Sequence, residues 1–480
     1  MSNGTFSTSG NSFTMVSNAL KTARIAPVTG TGAVNGNFTI QRYIPNRHPS
    51  WSDFSSPTTA STVQDWANEL FLVYAQAPSG NIGAYSEPLA DYVTVNSGTT
   101  LKPGQGFEIY LSDDETLSTF TERTLTTVGV PNIGTQVIPI LYTAANGIPY
   151  AVDPINGYAG ENLVGNPFAS TIDLSAIIFS PEVLPVVDVF DCTTQSYKTL
   201  SGNALIGPHQ GFWAYTSGEA SGTITIPESA KSPDMETGPQ FSEKEEPFFQ
   251  LTIRNTDNLF AQTLKIATDK DASDGWDKKD APFRKSRNPL TPVIAGDVNI
   301  PVSIYTFNSD HSEYIMPLIT NVNTSGPYEI SAKGISYIDT KFPCIRLIDK
   351  LMNRTINLHE DDTYSFYGEP TDSYFRFEIH FSSDLTNCGA ITTSIDENDF
   401  ETATQVVQTR SGNIIHFNFS KSAPVHIYLT NSMGQLMVSK QTEVQQQSVT
   451  VNLPDDFQGV YFVRILSPEG GIIKKFYKQS

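Results

Sequence analysis

The stretch PGQGFEIYL at residues 103–111 recurs 105 positions later as PHQGFWAYT at residues 208–216. In both copies a proline and a Gln-Gly pair precede a run with the alternating pattern of a β-strand. Proline restricts the backbone before the strand, and glycine allows another backbone to approach closely. The motif therefore predicts a strand entry that the fold uses twice.

The sequence around the motif is repeated as well. PTTASTV at residues 57–63 precedes the first copy, and PFASTI at residues 167–172 precedes the second. Each of these segments leads into a predicted short helix, near 63–70 and near 172–178. We interpret this order of features as a duplicated β-rich unit. Gln105 and Phe107 are then expected to be equivalent to Gln210 and Phe212.

Period-two alternation continues along the rest of the chain, which predicts an all-β protein. We expect tandem β-sandwich domains, jelly-roll or Ig-like, with a small Ig-like sandwich at the C-terminus. The predicted segments are a strand-rich end of a longer region at 1–43, the duplicated sandwich region at 44–227, a linker at 228–247, a sandwich at 248–382, a linker at 383–403 and the C-terminal sandwich at 404–480.

The composition excludes some classes of partner. The chain has 480 residues, 17% of them charged, and a formal net charge of −20. Such an acidic surface repels nucleic acid, and no basic stripe offsets it. No apolar run reaches the length of about 18 residues that predicts a membrane-spanning helix.

Three cysteines lie far apart, at Cys192, Cys344 and Cys388. Because their number is odd and no CxxC pair occurs, we expect neither a disulfide framework nor a cysteine-based zinc site.

The sequence lacks the short motifs of hydrolases, metalloproteases and nucleotide-binding enzymes, so we predict no enzymatic activity, catalytic residue or cofactor. One segment resembles a calcium loop, because four carboxylates surround Gly275: Asp269, Asp271, Asp274 and Asp277. The glycine is one position late for an EF-hand, and no bidentate glutamate follows. A polar hairpin loop is the favoured interpretation.

Four residues of the repeated motif are candidates for ligand contact: Gln105, Tyr110, Gln210 and Trp213. A sugar-contacting patch formed by these amide and aromatic side chains is the functional alternative. The favoured interpretation is structural, because aromatic residues in strands usually belong to the core. An exposed row of Trp51, Tyr110 and Trp213 would favour the sugar-binding alternative.

Three segments near the C-terminus follow a recognisable pattern: VHIYLTNSMGQLM at 425–437, VNLPDDFQGVYFVRI at 451–465 and GGIIKKFYKQ at 470–479. They resemble the type A C-terminal sorting domain of the type IX secretion system of Bacteroidetes. The positions that carry the resemblance, and that it implies form the secretion signal, are Leu453, Gly459, Tyr461, Val463, Ile465, Lys474, Lys475 and Lys478.

The resemblance implies an extracellular, outer-membrane-associated surface protein, adhesin-like and non-enzymatic. Its implied partners are the outer-membrane translocon and its shuttle protein; cell-surface glycans or lipopolysaccharide are further candidates. A carbohydrate-binding surface protein is the alternative. Members of this class need a signal peptide, which residues 1–10 do not provide, so we expect the natural N-terminus to lie elsewhere. Relatives with similar upstream segments usually have an aromatic residue where this chain has Glu161-Asn162-Leu163.

Overall fold

The computed structural model describes residues 2–75, 80–144, 159–218, 220–233, 247–298 and 300–388, and the backbone of the C-terminal strands given below. Strand accounts for 47% and helix for 6% of the structure, which confirms the all-β prediction. Within the described residues, no helix has the length and apolar character required to cross a membrane.

The chain divides into two compact units. The first contains residues 1–311, 316–341 and 362–375, and the second contains residues 312–315, 342–361 and 376–480. This division differs from the predicted boundary at 383–403, because residues 342–361 and 376–382 group with the C-terminal part.

The first unit begins with short strands β1 (Thr5–Ser7), β2 (Thr14–Met15) and β3 (Ala33–Asn35). The first copy of the duplication follows them. It consists of β4 (Phe38–Ile44), β5 (Ser50–Ser55), β6 (Thr58–Thr59), α1 (Val63–Ala67), β7 (Ile82–Ser86), β8 (Asp91–Thr94), β9 (Gly106–Leu111) and β10 (Arg123–Pro131). A 3-10 turn spans Glu87–Leu89.

The second copy has the same plan. It consists of β11 (Gln136–Ile140), β12 (Glu161–Gly165), β13 (Ile172–Asp173), β14 (Ile178–Phe179), β15 (Val183–Asp191), β16 (Ser196–Leu200), β17 (Leu205–Ile206), β18 (Gly211–Thr216) and β19 (Gly222–Ile226). The predicted second helix is a 3-10 turn at Leu174–Ala176, and another such turn spans Glu228–Ala230.

The sheets of the two copies have matching strand orders, β5-β9-β7-β8 in the first and β12-β18-β15-β16 in the second. The register matches too: Phe107 lies opposite Phe54, and Phe212 lies opposite Val164. In each copy a second sheet, containing β4 and β10 or β11 and β19, covers the inner face and encloses an apolar core. The predicted equivalence of the two phenylalanines is therefore confirmed.

The two copies meet reciprocally at the repeated motif. The Ser55 amide donates to the His209 carbonyl at 2.9 Å, and the equivalent Gly165 amide donates to the Gly104 carbonyl at 3.1 Å. Isolated bridges join Phe54 to Gln210 and Gln105 to Val164. The motif is thus the place where each copy binds the other, as well as the entry to a strand.

Replacing Gly211 with alanine should lower the free energy of unfolding by about 1–3 kcal/mol, because overpacking against backbone cannot relax easily. A Cβ at Gly211 would lie 2.8 Å from the Asp53 carbonyl carbon and 2.8 Å from the Phe54 nitrogen. Gly275→Ala is the control, since its nearest neighbour would lie at 3.8 Å. Urea unfolding that gives equal stabilities for both variants would contradict this close contact.

The next block contains β20 (Phe249–Asn255), β21 (Ala261–Asp269), β22 (Ala281–Pro282), β23 (Val293–Asp297), β24 (Pro301–Asn308), β25 (Glu313–Asn321), β26 (Gly326–Lys333), β27 (Cys344–Asp349), β28 (Arg354–Asn357), β29 (Thr363–Gly368) and β30 (Phe377–Ser382). In the first unit the strand order is β25-β23-β24-β21-β20-β26-β29, with β22 beside β24. Short 3-10 turns also occur outside the predicted places, at Ile335–Tyr337 and Leu385–Cys388.

In the second unit β27 lies between β28 and β30. Asp349 and Arg376 form a buried, two-pronged ion pair, with Nε–Oδ1 at 3.0 Å and Nη2–Oδ2 at 2.6 Å. Cys344 and Cys388 form a disulfide, 44 positions apart. The sequence predicted no disulfide framework and did not anticipate this single bond, because folding brings together cysteines whose spacing carries no signal.

The C-terminal strands are β31 (Thr404–Gln408), β32 (Ile414–Phe419), β33 (Ala423–Asn431), β34 (Leu436–Val444), β35 (Ser448–Asn452), β36 (Gly459–Ser467) and β37 (Gly470–Lys478). They form two antiparallel sheets, ordered β31-β32-β35 and β34-β33-β36-β37.

Candidate functional site

The block of strands that begins at β20 and follows the two copies is called the third block. Its loop at residues 283–287 places two arginines against the duplicated sheets. Arg284 Nη1 lies 2.6 Å from Glu161 Oε2, and the Arg284 side chain is 12% exposed. Its guanidinium carbon lies 3.1 Å from the centre of the Trp213 ring and 5.1 Å from that of Tyr197. Arg284 therefore makes an ion pair and a cation–π contact in a largely dehydrated setting.

Arg287 makes the corresponding contacts with the first copy. Its Nη1 forms an ion pair with Oε2 of Glu108, a residue with no exposed surface. Its guanidinium carbon lies 4.0 Å from the centre of the Trp51 ring and 5.0 Å from that of Tyr92.

The two sets of contacts are related by the duplication. The strand registers make Trp51 equivalent to Glu161, and Glu108 equivalent to Trp213. Each copy therefore offers one tryptophan and one glutamate at the same two positions, with the order exchanged, and one arginine binds each pair. We call these six residues the arginine clamp: Arg284, Glu161, Trp213, Arg287, Glu108 and Trp51.

Burial and neighbouring charges shift the pKa values of Arg284 in the clamp and of two nearby aspartates, Asp53 and Asp188. Burial alone would lower the pKa of Arg284, but Glu161 and three tyrosines raise it well above the usual value. Asp53 lies opposite Glu108 in the sheet. Burial, followed by the charge of Glu108, raises the pKa of Asp53 well above its usual value. Burial also raises the pKa of Asp188 to about 6, against hydrogen bonds from Thr199 and Tyr215 that lower it.

His209, in the second copy of the motif, is buried at the contact between the copies. Its φ of 62° lies in the left-handed region, as does the φ of 74° at the equivalent Gly104. Nε2 lies 3.2 Å from Thr127 Oγ1. Burial, with a smaller effect from Arg42, lowers the pKa of His209 to about 3.

Two small cavities lie near these residues. One, of about 20 Å³, is lined in part by Arg47, Asp53 and His209. The other, of about 10 Å³, is lined in part by Trp51, Tyr92 and Arg287. Small-molecule sites usually enclose about 300 Å³ or more, so neither cavity accommodates a sugar ring.

Acid should destabilise the protein through His209. An unfolded histidine binds a proton near pH 6.5 whereas the folded one resists it to about pH 3. The unfolded state therefore gains protons first, and stability falls as the pH drops from about 6.5 towards 3. His209→Gly suits the left-handed backbone and removes this titration. Between pH 6.5 and 3, the variant should lose about 4 kcal/mol less unfolding free energy than the wild type.

Urea unfolding at several pH values measures that difference, with replacement of the exposed His359 by glutamine as the control. Parallel pH profiles for wild type and His209→Gly would show that His209 is not the acid-sensitive group.

The structure does not assemble the candidate sugar-contacting surface. Trp213 is 0% exposed, because its ring packs against Arg284 and Tyr85. Gln105 and Gln210 lie at the contact between the copies, and the Gln210 amide donates to the Asp53 carbonyl at 3.2 Å. Tyr110 is half-buried beside Trp51. The exposed row of Trp51, Tyr110 and Trp213 is therefore absent, because the third block covers this face.

The four carboxylates of the calcium candidate do not converge. Asp269 forms an ion pair with Lys279 at 2.8 Å, and Asp274 Oδ2 lies 2.7 Å from Nε2 of His311. Asp277 accepts the Ser273 amide at 2.8 Å, and the Asp271 amide donates to Asp269. Among the described residues, no cluster of three or more His, Cys, Asp or Glu side chains suited to a metal ion is present. Instead, residues of this segment form hydrogen bonds and an ion pair with one another, as expected of a polar hairpin loop.

Sequence reasoning missed the two arginines of the clamp. They lie more than 70 positions downstream of Trp213, and nothing local connects them to the repeats.

In the C-terminal strands, the secretion-signal positions fall on neighbouring strands. Strand β36 begins at Gly459, and Val463 is buried, as are Ile427 and Leu429 of β33. Val463 lies opposite Leu429 on one side and Lys474 on the other. Across β36 and β37, Tyr461 and Ile465 lie opposite Phe476 and Ile472, Lys475 lies opposite Phe462, and Lys478 lies opposite Gly459. Leu453 lies outside the described residues.

Residues 411–479 match the family model described as "Secretion system C-terminal sorting domain". This part of the chain is a type IX sorting domain. The match confirms the resemblance seen in the sequence and identifies the chain as a type IX secretion substrate, exported to the cell surface or the extracellular space. The sorting domain implies an interaction with the type IX secretion machinery.

The comparisons with curated proteins and with solved structures add no evidence about fold or function. A search of curated proteins finds no significant match. A structure described as "Biofilm associated protein - BSP domain" is 7% identical, with 92% of each chain covered and a TM-score of 0.14. A trypsin-activated alpha-2-macroglobulin from Escherichia coli is 10% identical, with 92% of this chain and 30% of that chain covered and a TM-score of 0.13. Scores this low carry no argument about fold or function.

Proposed function

We propose that this chain is a non-enzymatic, adhesin-like protein of the cell surface in Bacteroidetes. The part of the chain before residue 404, called the body below, is the part that acts outside the cell. Its sorting domain is recognised by the outer-membrane translocon and the shuttle protein, and the body stays associated with the outer membrane.

The observation that carries the proposal is the sorting domain matched at residues 411–479. In the body, the six residues of the arginine clamp bind one another. Glu108 and Glu161 are occupied by Arg287 and Arg284, and both arginines stack on tryptophans. These contacts join the loop at residues 283–287 to both copies of the duplicated unit. A general acid or base would instead need access to substrate.

Adhesion of living cells tests the proposal. A strain without the gene and a strain producing the chain without residues 404–480 should both adhere less than the wild type to the surfaces the organism colonises. Re-expression of the full chain should restore adhesion. Unchanged adhesion in the gene-deletion strain would contradict the adhesive role.

The purified full chain separates the remaining alternatives. Turnover of glycan or peptide substrates would contradict a non-enzymatic role. Saturable binding on a glycan array would favour the carbohydrate-binding alternative, with the outer surface of the body as the place to map it.

A further inference from the structure

The Cys344–Cys388 disulfide joins a buried strand to the last described turn before the sorting domain. Cys344 is 0% exposed and lies opposite Ser382 at the end of β30. Cys388 is the last residue of the 3-10 turn that follows that strand. The bond therefore fastens the turn back onto β27.

Apart from this bond, the described contacts of the turn are few and polar. Residues 383–386 are exposed, and Leu385 is 62% exposed. The Asp384 amide donates to Ser382 Oγ at 3.1 Å, and the Thr386 amide donates to Asp384 Oδ1 at 2.8 Å. The Ser383 amide donates to the Ser312 carbonyl at 2.8 Å. Exposed polar contacts such as these open easily, so the disulfide is the strong link.

The position of this link determines where the sorting domain is attached. Strand β31 begins at Thr404, 16 positions after Cys388. With the bond closed, the connection starts at Cys388. With the bond open, it starts at the end of β30, six residues earlier, which adds up to roughly 20 Å of extended chain.

We propose that the Cys344–Cys388 disulfide is an oxidation-dependent anchor for the sorting domain, and that closing it makes the chain competent for export. The inference rests on the sorting role proposed above. In a reduced chain, residues 383–388 are no longer fastened to β27 and can separate from it next to the export signal. An oxidised chain presents that signal from a fixed point on a folded sheet.

Closure is an exchange with a disulfide-carrying oxidoreductase. A cysteine thiolate of the chain attacks the carrier's disulfide and forms a mixed disulfide. The second cysteine thiolate then displaces the carrier. The chain loses two electrons and two protons, and the carrier gains them as two thiols.

Limited proteolysis of the purified full chain tests the anchor directly. Chymotrypsin should cut after Leu385 about tenfold faster, or more, in the Cys344→Ser/Cys388→Ser variant than in the oxidised wild type. Cys192→Ala, which removes a buried thiol outside the bond, should cut at the wild-type rate. Mass spectrometry identifies the cut. Equal rates in oxidised wild type and double variant would overturn the proposal.

Display on cells tests the consequence. The double variant should reach the surface at a severalfold lower level and accumulate in the periplasm, with Cys192→Ala at the wild-type level. Display of the double variant at the wild-type level overturns the proposal that closing the bond makes the chain competent for export. Failure of the wild type itself to reach the surface would instead defeat the sorting role.

A folding defect is distinguished by circular dichroism of the double variant. Native β-structure with faster cutting after Leu385 supports an anchor. Loss of the β-structure overturns the proposal, because the bond would then maintain the whole sheet.

Discussion

Replacing Arg284 with leucine is expected to lower the free energy of unfolding by about 3 kcal/mol. The change leaves Glu161 without its partner in a largely dehydrated site and removes the cation from the face of Trp213. Breaking one side of a buried ion pair is costly, because the remaining charge keeps its desolvation penalty. The aromatic contact adds to the loss, since cation–π attraction is strongest away from water.

Two further variants make this prediction specific. Lys285→Ala changes the adjacent side chain of the same loop and should alter stability by less than about 0.5 kcal/mol. The pair Arg284→Leu/Glu161→Leu removes both charges and should recover most of the loss, since apolar side chains can replace a buried ion pair. Urea unfolding of the full chain measures all three. A single-variant loss no larger than that of Lys285→Ala would show that the arginine clamp does not stabilise the body.

The clamp explains why a duplicated unit would keep unlike residues at equivalent positions. A single loop reaches both copies from the third block, so Trp51 and Glu108 meet Arg287 while Glu161 and Trp213 meet Arg284. Exchange of the tryptophan and the glutamate lets one short segment bind two related surfaces.

Much of the fold was predictable, because its signals are local. Alternation along β9 and β18 indicates strands, and the repeated Gln-Gly-Phe indicates equivalent positions, both of which the strand registers confirm. The C-terminal pattern around Gly459 and Val463 similarly indicated a sorting domain, in agreement with the family match.

The sequence did not predict features for which a distant segment determines the surroundings of a residue. Alternation assigns Trp213 to one face of β18 but cannot say what covers that face, and the cover lies at Arg284 in another block. The pairing of Cys344 with Cys388 likewise depends on how β27 and the turn after β30 meet. His209 carried an overlooked signal, because it stands where the first copy has glycine, and both residues have positive φ.

The largest expected effect concerns the sorting domain. Removing residues 404–480 takes away the strands that match the family model while leaving the disulfide and everything before it in place. The body has its own apolar cores, in both copies and in the third block, and should remain folded. Without a sorting domain the type IX machinery has nothing to recognise, so the body should accumulate in the periplasm.

The decisive measurement is the fraction of body exposed on the surface of the source cells, with and without residues 404–480 and with the upstream sequence unchanged. Surface labelling with antibodies against the body, together with fractionation, gives that fraction, and protease resistance of the periplasmic pool shows whether it is folded. We expect wild-type body at the surface and truncated body, folded, in the periplasm. Surface display of the truncated body at the wild-type level would contradict the account.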